Sequence, residues 1–499
     1  NAGVGTVIDA KKYIHTFFIN MGGMVGTFFD TRNFQGLTAN FLAQAIFNDC
    51  QNDGDIHYGE TAASIYQCAG GMMGQVLHFV RDRCVGSNNA PEGETYTGSG
   101  TRYSSADVKF YRCKNNGNIS YRSSAMNLSQ GYNYNYAGGI LGSGSLGLNS
   151  VKGTFSAVDL LFDHCENAGE VQFDRNNSLM STNASPAYTS VGGILGWYCG
   201  TVGHATSAAS HSGSGRGTIT PATSFNAQII SCKNSGRIWG YSGYLGGIVG
   251  TGNWFVKVTG TEADPTINTG DIVVKRENGE VVTKNWYGNK YIYAGGIAGA
   301  MIEMVNATYA VANADGNPAW PAYKPSDQYT RVEYAVNEGA VGATGMAGGI
   351  VGYYYSAVEA AKELENKESR GGMEFCRNTG DIYALEGATT NVGAMTGYYR
   401  MLSYTANSGN TLAEGLSEKP WQIGVRNCQI GGTVLRGAIN KIVADKTNYM
   451  QIIYGENWSD EFISIFDDKI YDGCTLYEPV VEETPGEEGE EGTDPEARR

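Results

Sequence analysis

A chain of 499 residues with 70 glycines, 32 tyrosines and a formal charge of −15 is too long for one ordinary globular core and too acidic to track a nucleic-acid backbone. Its glycine follows no triplet period and only 11 prolines accompany it, which excludes collagen. No apolar run approaches the roughly 20 residues of a membrane-spanning helix.

In chain order, residues 1–20 hold Tyr13, Ile14, Phe17, Phe18 and Ile19, enough apolar surface to cap a repetitive core. The chain does not open on Met, and it reads as a processed or trimmed product. From residue 21 to about 440 two half-motifs alternate. The first, x-G-G-(I/M)-x-G, begins at Met21, Ala69, Ala137, Val191, Leu245, Ala294 and Ala347, and a degenerate copy begins at Val392. The second, C-x-N-x-G-x-(I/V), begins at Cys50, Cys113, Cys165, Cys232 and Cys376, more weakly at Cys428, and without its cysteine at Thr266 and Ala335. A period of roughly fifty residues places the chain among solenoids and arrays, where each unit packs only on its neighbours. The fold expected is all-β: a parallel β-helix or β-solenoid of about eight irregular repeats.

Within each unit the Asn-x-Gly is turn chemistry, with Asn bonding local backbone and Gly supplying positive φ. The apolar residue after it (Ile56, Ile119, Val171, Ile238, Ile272, Val341, Ile382, Val434) starts a short alternating strand. Stacking sets the copies of Asn in a ladder, and it stacks six of the ten cysteines as small buried hydrophobes rather than disulfide partners. Cys68, Cys84, Cys199 and Cys474 lie outside that slot and remain available to pair, Cys68 with Cys84 being the suggested bond. Variable spacing marks inserts: loops at 87–105, 202–223 and 313–328, and a helical insert opened by the capping box Ser356/Glu359 and carried by 357–365. Residues 441–478, with Ile452, Trp458, Phe462 and Phe466, are expected to close the other end. The tail 479–499 is acidic and Gly/Pro-interrupted, hence a linker or disordered.

The alternation of G-G-(I/V)-x-G with C-x-N-x-G-x-(I/V) resembles the GLUG-type repeat of bacterial secreted and surface proteins, especially its cysteine-containing form in Bacteroidetes lipoproteins. The resemblance covers about 420 residues. It implies display on the extracellular side of the outer membrane, as an adhesin or as an accessory subunit beside a nutrient transporter and its binding lipoprotein. It transfers no catalytic residue, cofactor or metal. Residue 1 is not a lipidation cysteine, so a lipid anchor is implied by the resemblance alone.

Aromatic pairs follow the glycine motif: Phe28-Phe29, Trp197-Tyr198, Trp254-Phe255, Tyr353-Tyr354-Tyr355 and Tyr398-Tyr399. Aligned on one side they would form a platform for a glycan or peptide, since the rings combine apolar faces with polar tips. The other reading is that they fill the core or brace the inserts, as strand aromatics usually do. The sequence offers little catalytic chemistry. His204/His211 is a loose pair, Asp163-His164-Cys165 shares its cysteine with the repeat, and Asp53/Asp55 and Asp467/Asp468 are pairs by proximity only. There is no G-x-x-x-x-G-K-(S/T) phosphate loop and no G-x-S-x-G elbow. The leading expectation is a non-enzymatic binding protein. A polysaccharide lyase or glycosidase on the same scaffold, or an adhesin, stands beside it.

Overall fold

The computed structural model describes residues 18–33, 41–58, 66–81, 102–123, 134–146, 154–175, 189–199, 227–240, 242–253, 256–282, 292–303, 311–312, 318–319, 330–359, 372–385, 391–404, 425–436, 439–442 and 473–477. Among them no helix occurs. The chain coils as a parallel β-solenoid whose successive turns contribute one strand to each of five sheets, here called A to E. Sheet A holds eight strands that lead into the glycine pairs, from Phe18–Gly22 and Tyr66–Gly70 to Met346–Gly348 and Asn391–Gly393. Sheet B holds the eight strands that leave them, from Val25–Asn33 to Thr396–Tyr404. Sheet C has eight strands, sheet D nine, and sheet E two runs of four.

In-register pairing places like residues on like. Ile56, Ile119, Val171 and Ile238 align across sheet E, and Phe47, Phe110 and Phe162 stack at 4.9 and 5.2 Å across sheet C. Farther along, Ile229, Val258, Val332, Met373 and Val425 take that column over. One continuous apolar core follows, fully buried through most coils.

The Asn ladder forms as the sequence predicts. Each Asn Nδ2 donates to the Oδ1 of the next rung, from Asn52 through Asn115, Asn167, Asn234, Asn268 and Asn337 to Asn378, at 2.7–2.8 Å. The second Nδ2 proton goes to the carbonyl of the turn glycine two residues on. The reason for that glycine differs from the expected one. A Cβ on Gly117, Gly169, Gly236 or Gly270 would stand 1.9–2.1 Å from the carbonyl oxygen of the same glycine in the coil before, so close stacking, not positive φ, requires it. Positive φ appears instead at the residue before the cysteine slot: Asp49, Arg112, His164, Ser231, Tyr334, Phe375 and Asn427 have φ of 47–53°. This left-handed residue turns the chain from sheet C into sheet D.

The cysteines also form a column. Cys113, Cys165, Cys232, Cys376 and Cys428 are buried, and each thiol donates to a carbonyl of the preceding coil. Thr266 fills the same slot with a hydroxyl that donates to Thr259 and accepts from the Cys232 N–H. Two expectations about cysteines are corrected. Cys474 lies inside the frame, because Thr475–Leu476 pairs with Gln429–Ile430 and the Cys474 thiol approaches the Val425 carbonyl. Cys68 is a free, fully buried thiol rather than half of a disulfide; Cys84 and the side chain of Cys199 lie outside the described residues.

Two further corrections concern boundaries. Solenoid structure begins at Phe18, inside the stretch assigned to the N-terminal cap, whereas residues 1–17 lie outside the described residues. Ser356–Glu359 continues the strand Val351–Glu359, pairing with Met401–Tyr404, so the capping box opens no helix there; residues 360–371 lie outside the described residues. The alternation Tyr353, Tyr355, Ala357 and the neighbouring strand outweigh local helix propensity. Most of the predicted loop inserts, most of 441–478 and the tail also lie outside the described residues.

Candidate functional site

The glycine motif sets up a seam where sheets A and B meet. The third glycine of each motif packs on the sheet A strand of the coil before. A Cβ on Gly250 would lie 2.4 Å from the Gly196 oxygen and 2.6 Å from the Val191 nitrogen. No side chain fits there. The residue after that glycine then faces the one two places before the glycine pair of the preceding coil. Asn20 bonds Gln75 at 2.9 Å, Ser190 bonds Thr251 at 2.8 Å, and Tyr136 stacks on Trp197 at 4.7 Å. On sheet B this row runs Thr27, Gln75, Ser143, Trp197, Thr251, Ala300, Tyr353, Tyr398. On sheet A it runs Asn20, Cys68, Tyr136, Ser190, Tyr244, Tyr293, Met346, Asn391.

This register sorts the aromatic candidates. Trp197, Tyr353 and Tyr398 share the seam row and are half-buried. Tyr198 and Tyr354 sit one residue on, in the core row, and are fully buried; the Tyr198 hydroxyl donates to the Val158 carbonyl, and that of Tyr354 to the Thr330 carbonyl. These two fill the core and are not available to a ligand. Tyr399 aligns with Tyr354, and Tyr355 is one further along its strand; their side chains, with Trp254 and Phe255, lie outside the described residues. In sequence Trp254 is not a row-mate of Trp197, since Thr251 holds that register. Phe28 is likewise a row-mate of the core positions and packs partly buried against the core.

Sheet A contributes two rings that the sequence reading missed, Tyr244 and Tyr293. With Tyr353 and Tyr398 they make a column: Tyr244 to Tyr293 at 5.2 Å, Tyr293 to Tyr353 at 6.2 Å, and Tyr353 to Tyr398 at 5.4 Å. Each such contact contributes about 0.5–1.5 kcal/mol beyond area burial. Burial, followed by the neighbouring Tyr293 and Tyr353, raises the Tyr244 phenol far above its ordinary range, so it stays a neutral hydroxyl. Because the rings lie over one another, the column offers edges and hydroxyls rather than flat faces. The signal for the missing rings was tyrosine two places before a glycine pair, in Tyr136-Ala137-Gly138, Tyr244-Leu245-Gly246 and Tyr293-Ala294-Gly295.

An inserted hairpin was also legible and unread. Lys275–Glu277 and Glu280–Val282 pair antiparallel around Asn278-Gly279, both with positive φ, the signature of a type I′ turn. Trp239, on the outer row of sheet E, is buried with Lys275 Nζ 4.9 Å and the Arg237 guanidinium 5.3 Å from its ring. The hairpin interrupts sheet E, where Ile272 alone bridges Ile238 and Val341.

The remaining polar candidates are engaged in the coil. Asp53 accepts from Gln51 and Asn116, and Asp55 from the Asn118 N–H, so this pair caps backbone and side chains rather than sharing a proton. His164 contacts Asp163 through Nδ1 at 2.5 Å and Asp264 through Nε2 at 2.8 Å, while Cys165 points into the thiol column. His57 Nδ1 lies 2.6 Å from Ser120 Oγ on the exposed row of sheet E. Strand pairing there occupies the backbone donors that an oxyanion would need. No group of three or more His, Cys, Asp or Glu side chains suited to a metal occurs among the described residues. His204, His211, Asp467 and Asp468 lie outside them.

Compared with family models, curated proteins and solved structures, the chain finds no match.

Proposed function

We propose that this chain is a non-enzymatic, surface-displayed β-solenoid that binds a glycan or peptide along the seam between sheets A and B. The observation that carries the reading is the half-buried aromatic set Trp197, Tyr244, Tyr293, Tyr353 and Tyr398, held at fixed intervals by the coil. Such a set presents hydroxyl-bearing edges along the solenoid axis and suits an extended, hydrogen-bonding ligand. The resemblance to Bacteroidetes surface lipoproteins supports a lipid-anchored location on the outside of the outer membrane, with a nutrient transporter and its binding lipoprotein as partners. The test is a glycan and peptide array probed with the parent chain and with Tyr353→Ala/Tyr398→Ala. Ligand retention is expected to fall at least about tenfold, the equivalent of 1.4 kcal/mol. Retention that is unchanged in a variant with the parent's circular dichroism would remove the seam from consideration.

A further inference from the structure

The cysteine column falls into two runs. Cys50, Cys113, Cys165 and Cys232 make the first; Thr266 and Ala335 then interrupt it, and Cys376, Cys428 and Cys474 make the second. In-register pairing of Gln429–Ile430 with Thr475–Leu476 sets Cys474 directly opposite Cys428. At the strand spacing of about 4.8 Å, their Cα atoms lie inside the range of about 4.4–6.8 Å that a disulfide spans. The two thiols are already in contact. Burial first, then hydrogen bonds with the Cys376 and Cys474 thiols, pushes the Cys428 thiol far above its ordinary range.

Two features separate this pair from its neighbours in the column. The first is access. Cys113, Cys165, Cys232, Cys376 and Cys428 are buried, whereas Cys474 is half-buried and can meet a reagent that the others cannot. The second is freedom to adjust. A disulfide holds its Cβ atoms about 3.5–4.5 Å apart, closer than strands stack, so one backbone must move in by a few tenths of an ångström. Cys50 is also half-buried, but it is fixed on both sides: Phe41–Asn48 before it and Gln51–Asn52 after it pair residue for residue with the coil of Cys113. Cys474 instead follows Gly473, whose φ of +70° holds the left-handed corner that Tyr334, Phe375 and Asn427 hold with side chains. A Cβ there would stand 2.1 Å from the Asn427 Oδ1, so the glycine lets this corner sit close on the coil before. Past it, the Thr475 N–H donates to the Cys428 carbonyl and the Tyr477 N–H to the Ile430 carbonyl.

We infer that Cys428 and Cys474 are a disulfide-forming pair, oxidised by a low-molecular-weight disulfide such as oxidised glutathione, and that the bond clips the Thr475–Leu476 strand to the solenoid. The Cys474 thiolate attacks one glutathione sulfur and releases the other as a thiolate, which takes up the proton Cys474 lost. A mixed disulfide is left on Cys474. The Cys428 sulfur then attacks the Cys474 sulfur, the second glutathione leaves, and the Cys428 proton goes to it. Two protein thiols are oxidised and one glutathione disulfide is reduced to two thiols. Burial of Cys428 makes the second step the slow one. The bond closes a loop of about 45 residues and so restricts the opened state of a short strand.

The test incubates the native 499-residue chain with oxidised glutathione, alkylates it in denaturant and cuts it with trypsin. Expected is a cross-link between the peptides Asn427–Arg436 and Ile470–Arg498, each of which holds one cysteine, in a chain that runs as a monomer without reductant. Exchange of the Thr475 and Tyr477 amides should slow at least about tenfold on oxidation and recover with dithiothreitol. Cys50→Ser should leave the cross-link in place, and Cys474→Ser should leave both amides indifferent to glutathione. A chain that stays fully reduced, or a glutathione adduct on Cys474 that never resolves, would overturn the inference. So would a Cys50–Cys113 bond as the main product, a cross-linked dimer, or a Cys428–Cys474 bond that leaves the two amides exchanging as before, since the bond would then fasten nothing.

Discussion

Replacing Asn234 by alanine removes one rung from the middle of the ladder. Its Oδ1 accepts from Asn167 at 2.7 Å, and its Nδ2 donates to Asn268 at 2.7 Å and to the Gly236 carbonyl at 2.9 Å. Asn167, Asn234 and Asn268 are all essentially buried. The substitution therefore strands the Asn268 Oδ1, the Gly236 oxygen and one Asn167 N–H. At about 1–3 kcal/mol per stranded buried group, and allowing for water entry, the cost is about 3–6 kcal/mol. Asn52→Ala strands less, because that rung is half-buried and is the first of the ladder among the described residues, and should cost about 1 kcal/mol. Long arrays lose two-state behaviour, so a denaturation midpoint needs a local readout beside it. Exchange of the Ser235 amide, which donates to the Asn167 carbonyl, supplies one. Equal costs for Asn234→Ala and Asn52→Ala would refute the ladder as a buried, mutually satisfied network.

Gly236→Ala places a Cβ 1.9 Å from the Gly169 oxygen and should abolish folding of the central coils, while Gly279→Asn, with nothing within 4 Å and a φ of +85° that Asn tolerates, should leave the melting temperature within a degree or two; expression and thermal melting compare them. The thiols of Cys113 and Cys428 are raised above their ordinary range, the first chiefly by the neighbouring Cys165 thiol and the second by burial, so thiol reagents should spare these two in the native protein and find at least six free thiols after denaturation without reductant. Two or fewer would mean the column is oxidised. His164 donates through both ring nitrogens only as imidazolium, and the hydrogen bond to Asp163, then that to Asp264, raises its pKa. The hold of His164 on the Asp264 loop is thus complete below the ordinary histidine pKa of about 6.5 and lost as pH rises through the higher folded value. Exchange of the amides of residues 260–264 and of Thr266 should quicken across that rise in the parent and show no such step in His164→Gln.

The coil itself was legible because its constraints repeat. Close stacking demands glycine and buried amides demand partners, so one rule writes itself along the chain and the Asn and Cys columns follow from spacing alone. What the spacing did not carry was which side of a strand each ring faces. A single step separates Trp197 in the seam from Tyr198 in the core, and the parity shifts across the third glycine, since Leu195 and Tyr198 are both core residues. Tyr244 and Tyr293 were hidden for a related reason: they precede the motif, and only pairing with the next coil brings them to Tyr353. Ser356–Glu359 carried a local helix signal that an already paired neighbouring strand overrode.

The central claim is that residues far apart in sequence occupy successive rungs of one parallel stack. Gln51, Lys233 and Gln429 hold the same outward position in sheet D, with Lys233 four rungs from Gln429 and Gln51 seven. Spin labels on Lys233→Cys/Gln429→Cys and Gln51→Cys/Gln429→Cys, in a background where the buried native thiols stay unreactive, measure this by electron paramagnetic resonance. At about 4.8 Å per rung, the backbone separations should be about 19 and 34 Å. Distances that do not grow in proportion to the number of rungs would contradict the solenoid.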